Sequence, residues 1–213
     1  MTKEHLLLVG TSGTIEVFLD HPAKDHPLRG AALIAHPHPL FGGTAENKVV
    51  TTLARALREL GYATLRPNFR GVGRSQGSHD QGIAETEDLL AVHAYAQANF
   101  PGLPIVLAGF SFGAYVISRL AQQLALQGQP AQRLVLVGTA SGAVTGARSY
   151  DTEAVAADTL VIHGDRDETV PLANVLAWAE PQELPVVVVP GADHFFHRKL
   201  HLLRNIVHSA WRS

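Results

Sequence analysis

Pro104-Ile-Val-Leu-Ala-Gly-Phe-Ser-Phe-Gly113 is an aliphatic run that ends in the pattern Gly-x-Ser-x-Gly. The aliphatic part predicts a strand over 104–108, and the largely apolar residues 114–125 predict a buried helix directly after the turn. A serine in so tight a strand-to-helix turn projects its hydroxyl out of the sheet, beside the free N–H groups at the helix N-terminus. The stretch therefore predicts that Ser111 is a nucleophile. The alternative is an ordinary turn in which the serine only caps the helix.

Six further short apolar runs predict strands, and most are apolar throughout, as strands buried on both faces are. They cover residues 14–19, 31–35, 62–67, 134–137, 160–163 and 186–189. Helical spacing of apolar residues predicts helices over about 49–60, 83–94 and 196–211. This alternation predicts an α/β fold with a mostly parallel central sheet and helices on both faces. Since no repeat, low-complexity tract or linker is visible, we expect a single domain over residues 1–213.

Composition narrows the function classes. The chain has 213 residues, a net charge of -2 and no cysteine. The charge gives no sign of a nucleic-acid or membrane-surface partner, and the lack of cysteine excludes thiol nucleophiles, disulfides and thiolate metal sites. The first apolar run, residues 6–9, is shorter than the roughly 7–15 residues of a signal peptide or the roughly 20 of a spanning helix. We therefore expect a cytoplasmic protein.

A serine nucleophile needs a histidine base to take its proton. On a Gly-x-Ser-x-Gly site the acid and then the histidine follow the serine in chain order, on turns after later strands. The turn 190–195, which follows the predicted strand 186–189, contains His194. Only this place in the turn distinguishes it among the twelve histidines, so three nearby ones remain alternatives: His163, His197 and His201.

The histidine in turn needs a carboxylate that holds its tautomer and stabilises its charged form. The turn after the predicted strand 160–163 reads Gly164-Asp-Arg-Asp-Glu-Thr-Val-Pro171. Asp165 and Asp167 both fit the acid, and Glu168 is a third option. We expect one aspartate to serve the histidine and the other to hydrogen-bond local backbone in the turn.

These motifs resemble a known family. Gly109-Phe-Ser-Phe-Gly113, Gly164-x-x-Asp-x-x-Val-Pro171 and Gly191-x-x-His194 are similar, in order and separation, to the motifs of the α/β-hydrolase superfamily. His36-Pro-His-Pro-Leu-Phe-Gly-Gly43 and Asn68-Phe-Arg-Gly-Val-Gly-Arg-Ser75 narrow the resemblance to small bacterial hydrolases related to dienelactone hydrolase and acylaminoacyl peptidase-like proteins. It covers about residues 14–211 and implies the α/β-hydrolase fold.

The resemblance also implies site residues. It places the nucleophile on Ser111, the base on His194, and the acid on Asp167, three residues after the strand-ending glycine. One oxyanion donor is the backbone N–H of Phe112, and the other comes from the loop that begins at His36. Because Pro37 and Pro39 have no N–H, that donor is His38, Leu40 or Phe41, and the resemblance favours His38.

Many hydrolases of this fold carry a helical lid after the sixth core strand. Only residues 138–159 separate that strand from the next here, too few for a lid domain. This predicts an open cleft, with Leu40 and Phe41 in contact with substrate. Three more aromatic residues are expected as apolar walls: Phe69, Phe110 and Phe195.

The predicted function is an esterase-like acyl hydrolase of short-chain or small carboxylic esters, working through an acyl-enzyme without cofactor or metal. A peptidase or thioesterase would use the same residues, and a non-catalytic binding protein on this scaffold is the rival from another class. A metal site at His36 and His38 is a weaker alternative, because the sequence shows no third ligand near this pair. The glycines of 70–77 do not form a dinucleotide fingerprint, because Gln76 stands where its last glycine belongs.

Overall fold

Within residues 3–22, 26–146 and 148–211, which the computed structural model describes, the chain forms ten strands and five α-helices. The strands are β1 Lys3–Gly10, β2 Gly13–Asp20, β3 Gly30–Ala35, β4 Tyr62–Pro67, β5 Ile105–Phe110, β6 Arg133–Val137, β7 Gly142–Val144, β8 Arg148–Tyr150, β9 Leu160–Gly164 and β10 Val186–Val189. The helices are α1 Lys48–Glu59, α2 Ile83–Asn99, α3 Phe112–Leu126, α4 Leu172–Ala179 and α5 Leu200–Ala210.

Eight strands form one sheet in the order β1-β2-β4-β3-β5-β6-β9-β10. The six from β4 to β10 run parallel, and the β1–β2 hairpin is added antiparallel at one edge. In a parallel sheet all carboxyl ends lie at one edge, and the loops after them form the site. The predicted mostly parallel sheet is confirmed.

Both faces of the sheet are covered by helices. Because side chains alternate along a strand, each buried strand contributes apolar side chains to both faces. In β5, Ile105 and Leu107 pack in the core with α2 and α3, whereas Val106, Ala108 and Phe110 pack on the other face with α1 and α5. The strand is apolar throughout for this reason. The predicted helices on both faces are therefore confirmed.

Four elements were not predicted from the sequence: β1, β7, β8 and α4. The apolar residues 6–9 belong to β1, an edge strand that pairs with β2 through a tight turn at Gly13, where φ is +116°. Strands β7 and β8 form a small hairpin in the connection that was expected only to be short. This hairpin stands where a lid domain would be inserted.

The last predicted helix begins later than expected. Helix α5 starts at Leu200 rather than at 196, because Phe196 and Arg198 have positive φ values of 54° and 62° and are in turns. Phe196 nevertheless belongs to the apolar stripe, since its side chain is fully buried. None of the described helices has both the length and the hydropathy needed to cross a membrane.

Candidate active site

Ser111 lies in a strained turn between β5 and α3. Its φ of 57° and ψ of -121° are unusual for a residue with a side chain, and its N–H donates to the carbonyl oxygen of Val137 at 2.9 Å. A side chain at Gly113 would collide with the carbonyl oxygens of Ala35 and His36. Glycine there therefore lets α3 begin close to the end of β3 and keeps the Ser111 hydroxyl at the carboxyl edge of the sheet.

Three side chains from the ends of β5, β9 and β10 form a hydrogen-bonded chain. Ser111 Oγ lies 2.9 Å from His194 Nε2, and His194 Nδ1 lies 2.7 Å from Asp167 Oδ2. A carboxylate only accepts, so Nδ1 carries the proton and Nε2 is left to accept from the serine hydroxyl. All three residues are buried, with 5–7% of their surface exposed. This is the arrangement in which an imidazole can take a hydroxyl proton.

Asp167, not Asp165, reaches His194. The second carboxylate oxygen of Asp167, Oδ1, accepts the backbone N–H groups of Thr169 at 2.9 Å and Val170 at 2.8 Å. Asp165 is exposed and instead accepts the backbone N–H of Gly191. It thereby joins the two turns that carry Asp167 and His194.

The three alternative histidines have other partners, although His163 Nε2 lies 3.4 Å from Asp167 Oδ2. His163 is fully buried beneath Asp167, with Nε2 donating to the carbonyl oxygen of Val170 at 2.9 Å. Burial holds its pKa below the ordinary value. His197 and His201 are exposed, and His197 pairs with Asp193. Among the described histidines, His194 is the one hydrogen-bonded to Ser111.

The structure also narrows the choice of the second oxyanion donor. The N–H of Leu40 donates to the ring nitrogen Nδ1 of His38 at 3.2 Å, and the N–H of Phe41 donates to the carbonyl oxygen of His38 at 3.2 Å. Within the described part of the chain, the N–H of His38 has no such partner. Phe112 opens α3, so its N–H lacks an intrahelical acceptor. Of the three candidate donors in this loop, His38 is thus the one whose N–H is left without an acceptor in the described part of the chain.

Sequence reasoning did not foresee the part played by His36, which holds the loop that carries His38. Its Nδ1 donates to the carbonyl oxygen of Pro37 at 2.6 Å, and its Nε2 accepts the N–H of Phe69 at 2.9 Å. Both ring nitrogens are therefore engaged in the neutral form, which leaves His36 no lone pair for a metal. Burial lowers the pKa of His36 to about 4.

We expect His36 to make the fold sensitive to acid. In the unfolded chain His36 binds a proton below about pH 6.5, its ordinary pKa. In the folded chain it binds that proton only below about pH 4. The free energy of unfolding should therefore fall by about 3 kcal/mol from this group as the pH drops through that window. Urea unfolding at pH 7, 5.5 and 4.5 measures this loss. The loss should be smaller in His36→Gln, and an equal loss in both proteins would refute the assignment.

A cleft of about 510 Å³ begins at His38. Leu40 and Phe41, predicted to contact substrate, lie in its wall and are 70% and 65% exposed. The expectation that Phe69 and Phe110 form walls of the cleft is wrong, because they are only 1% and 0% exposed. Phe69 packs in the core on one face of the sheet and Phe110 in the core on the other. Phe195 is half exposed but lines a separate groove next to α1.

Known proteins resemble this chain over most of its length. XC6422 of Xanthomonas campestris, described as an α/β serine hydrolase without lid, is 40% identical with a TM-score of 0.89, covering 100% of this chain and 94% of its own. An α/β serine hydrolase homologue of Coxiella burnetii is 42% identical with a TM-score of 0.86, covering 98% and 97%.

An uncharacterized protein of Rickettsia prowazekii is 35% identical over 179 residues, which is 79% of this chain and 72% of that protein. The family model described as the alpha/beta hydrolase fold matches residues 40–153. This range runs from the turn after His38, through the strand-to-helix turn at Ser111 (the serine elbow), to the hairpin β7–β8. Together with the sheet order and the elbow, these matches show that the chain belongs to the α/β-hydrolase family.

Proposed function

We propose that the protein hydrolyses short-chain or small carboxylic esters through an acyl-enzyme on Ser111. The observation that carries the proposal is the buried chain of hydrogen bonds from Ser111 through His194 to Asp167. The similarity to proteins described as serine hydrolases supports the same reaction class.

The reaction begins when Ser111 Oγ attacks the ester carbonyl carbon and its proton passes to His194 Nε2. The negative charge that forms on the carbonyl oxygen is stabilised by the N–H groups of Phe112 and His38. Asp167 stabilises the imidazolium through Nδ1. As the intermediate collapses, the alkoxide leaves with the proton from Nε2, and the acyl group stays on Ser111.

Water completes the cycle by the same groups in reverse. His194 takes a proton from a water molecule, and the hydroxide attacks the acyl carbon. The second tetrahedral intermediate uses the same two N–H groups. Its collapse returns the proton to Ser111 Oγ and releases the carboxylic acid. In this reaction every catalytic group other than water comes from residues of the chain itself.

Acyl length tests the substrate class. With a short hairpin in place of a lid, a long acyl chain stays in water and gains little of the roughly 0.8 kcal/mol per buried CH₂. We expect kcat/KM on p-nitrophenyl esters to peak between acetate and hexanoate and to fall for longer chains. A preference for chains of dodecanoate length would contradict the open cleft.

A fluorophosphonate probe tests the reaction class independently. It should label Ser111 of the wild-type protein and leave Ser111→Ala unlabelled, as mass spectrometry of the peptide would show. Labelling without hydrolysis of any p-nitrophenyl ester would favour a peptidase or thioesterase with the same residues. An unlabelled wild-type protein would favour the non-catalytic binding protein.

A further inference from the structure

The cleft beside His38 has a positively charged wall. It is formed by the turn after β3, the segment that precedes α2, the first turn of α3 and the hairpin β7–β8. Its lining residues are largely aromatic, polar or basic, and none of them is a carboxylate: His38, Leu40, Phe41, His79, Gln81, Tyr115, Gly146, Arg148, Ser149 and Tyr150. Among these lining residues, Arg148 at the start of β8 is the one whose side chain is always positively charged.

Arg148 is held in place by neutral groups. Nε and Nη2 donate to the carbonyl oxygen of Thr145 at 3.2 and 2.7 Å, and Nη1 donates to the Tyr150 hydroxyl at 3.5 Å. The guanidinium carbon lies 4.2 Å from the centre of the Phe41 ring, over its face. A guanidinium has five N–H donors, so these three bonds leave two donors for a ligand.

The charge of Arg148 lacks a counterion in the described part of the chain, where no carboxylate lies within ion-pair distance of it. Three other arginines, by contrast, each have one: Arg66 with Asp20 at 2.8 Å, Arg70 with Asp88 at 2.9 Å and Arg119 with Glu153 at 3.7 Å. Arginine is suited to carboxylate recognition because its planar donors match the two oxygens. The uncompensated guanidinium in this concave wall therefore has the charge and the donors that an anion requires.

His79 adds a second polar group to the same wall. Its Nδ1 lies 2.8 Å from Glu85 Oε1. The fully buried Glu85 also accepts the backbone N–H groups of Asp80 and Gly82, so its charge is met by three donors. The His79 ring lies 4.5 Å from the ring of His38. With Nδ1 directed to Glu85, Nε2 of His79 is its remaining hydrogen-bonding atom.

This wall is close to the proposed reaction centre. The ring of His38 lies 4.9 Å from the rings of both Phe112 and Phe41, and Phe41 in turn lies beneath Arg148. Burial, and after it the electrostatic influence of His79 and Arg148, lowers the pKa of His38 to about 4. The field of Arg148 therefore acts at the residue whose N–H is proposed to bind the oxyanion.

We propose that the cleft binds a carboxylate carried by the substrate, so that the preferred esters are anionic, with Arg148 as the group that recognises the charge. The inference rests on the proposed ester hydrolysis and adds the substrate class to it. The carboxylate can belong to the acyl part or to the alcohol part of the ester, and the two are distinguished by matched substrates.

The kinetic test uses two pairs that differ only in a carboxylate against a carboxamide. The acyl-side pair is 4-nitrophenyl hydrogen adipate and 4-nitrophenyl adipamate, and the alcohol-side pair is 4-acetoxybenzoate and 4-acetoxybenzamide. In at least one pair the wild-type kcat/KM ratio should favour the carboxylate by about tenfold to a hundredfold, as expected for charge-assisted hydrogen bonds. Added salt should reduce the ratio.

Arginine variants identify the group responsible. Arg148→Gln should bring the favoured ratio close to one, whereas Arg148→Lys, which keeps the charge but not the planar donors, should retain part of it. Arg119→Gln is the matched control, because Arg119 contacts Tyr115 of the same cleft but is paired with Glu153. It should keep the wild-type ratio. Thermal melting confirms that each variant is folded.

Ratios near or below one in both pairs of the wild-type protein, or an unchanged ratio in Arg148→Gln, would overturn the proposal while ester hydrolysis itself stands. If no ester is hydrolysed, the proposed function fails, and calorimetric titration with benzoate against benzamide decides the anion site separately. Benzoate binding that is lost in Arg148→Gln and kept in Arg119→Gln would support it. Absent benzoate binding, or equal binding in all variants, would refute it.

Discussion

Ser111→Ala is expected to lower kcat on p-nitrophenyl butyrate by about 10⁶-fold, equivalent to about 8 kcal/mol of transition-state stabilisation. The variant keeps His194 and the two N–H groups proposed to bind the oxyanion, but it has no oxygen to form the acyl-enzyme. Its fold should persist, because the substitution removes a single hydroxyl and leaves Gly109 and Gly113, which the turn requires.

Initial rates and thermal melting of the two proteins measure both effects. Alanine has a Cβ like serine, so the strain at a φ of 57° is shared by both proteins and should shift the melting temperature little. Activity above about a tenth of wild type, with an unchanged melting curve, would exclude Ser111 as the nucleophile.

Asp167→Asn is expected to lower kcat by about 10⁴-fold. The backbone N–H groups of Thr169 and Val170 require an acceptor at Oδ1, so they orient the amide with its oxygen toward them. The amide NH₂ then faces His194 Nδ1 and donates to it. His194 must carry its proton on Nε2 in this tautomer and cannot accept the proton of Ser111.

Asp165→Asn is the matched control, two residues away in the same turn. Asp165 is exposed and contributes one hydrogen bond, to the N–H of Gly191. An amide oxygen can accept that bond, so the activity loss should be small. A larger loss at Asp165 than at Asp167 would exchange the two roles.

The fold class could be predicted because its signals are local. Buried parallel strands are apolar throughout, and a tight turn requires glycine on both sides of Ser111, so both features can be read from a few neighbouring residues. Edge elements are less visible. Strand β1 has one exposed face, with Val9 88% exposed, and its pairing with β2 is a tertiary property.

Aromatic residues were the least predictable part of the site. Phe110 and Phe41 are both close in sequence to proposed site residues, but β5 directs Phe110 into the core, whereas the turn after β3 leaves Phe41 exposed. Which face a side chain takes depends on the register of the strand and the exact end of the turn. Neither can be read from composition or motif.

The sequence by itself determined the parallel sheet and the tight turn at Ser111, since each depends on residues adjacent along the chain. It also placed the candidate acid and the candidate histidine on turns after later strands. The residues of the turn left Asp165 and Asp167 both open and the resemblance favoured Asp167; the tertiary structure then brought Asp167 to His194. Only the tertiary structure revealed that His36 supports the loop of His38. It also placed Arg148 in the cleft. Ser111 and His194 are 83 positions apart in the chain. Contacts between residues so far apart depend on how strands and turns pack, and a local sequence pattern carries no information about that packing.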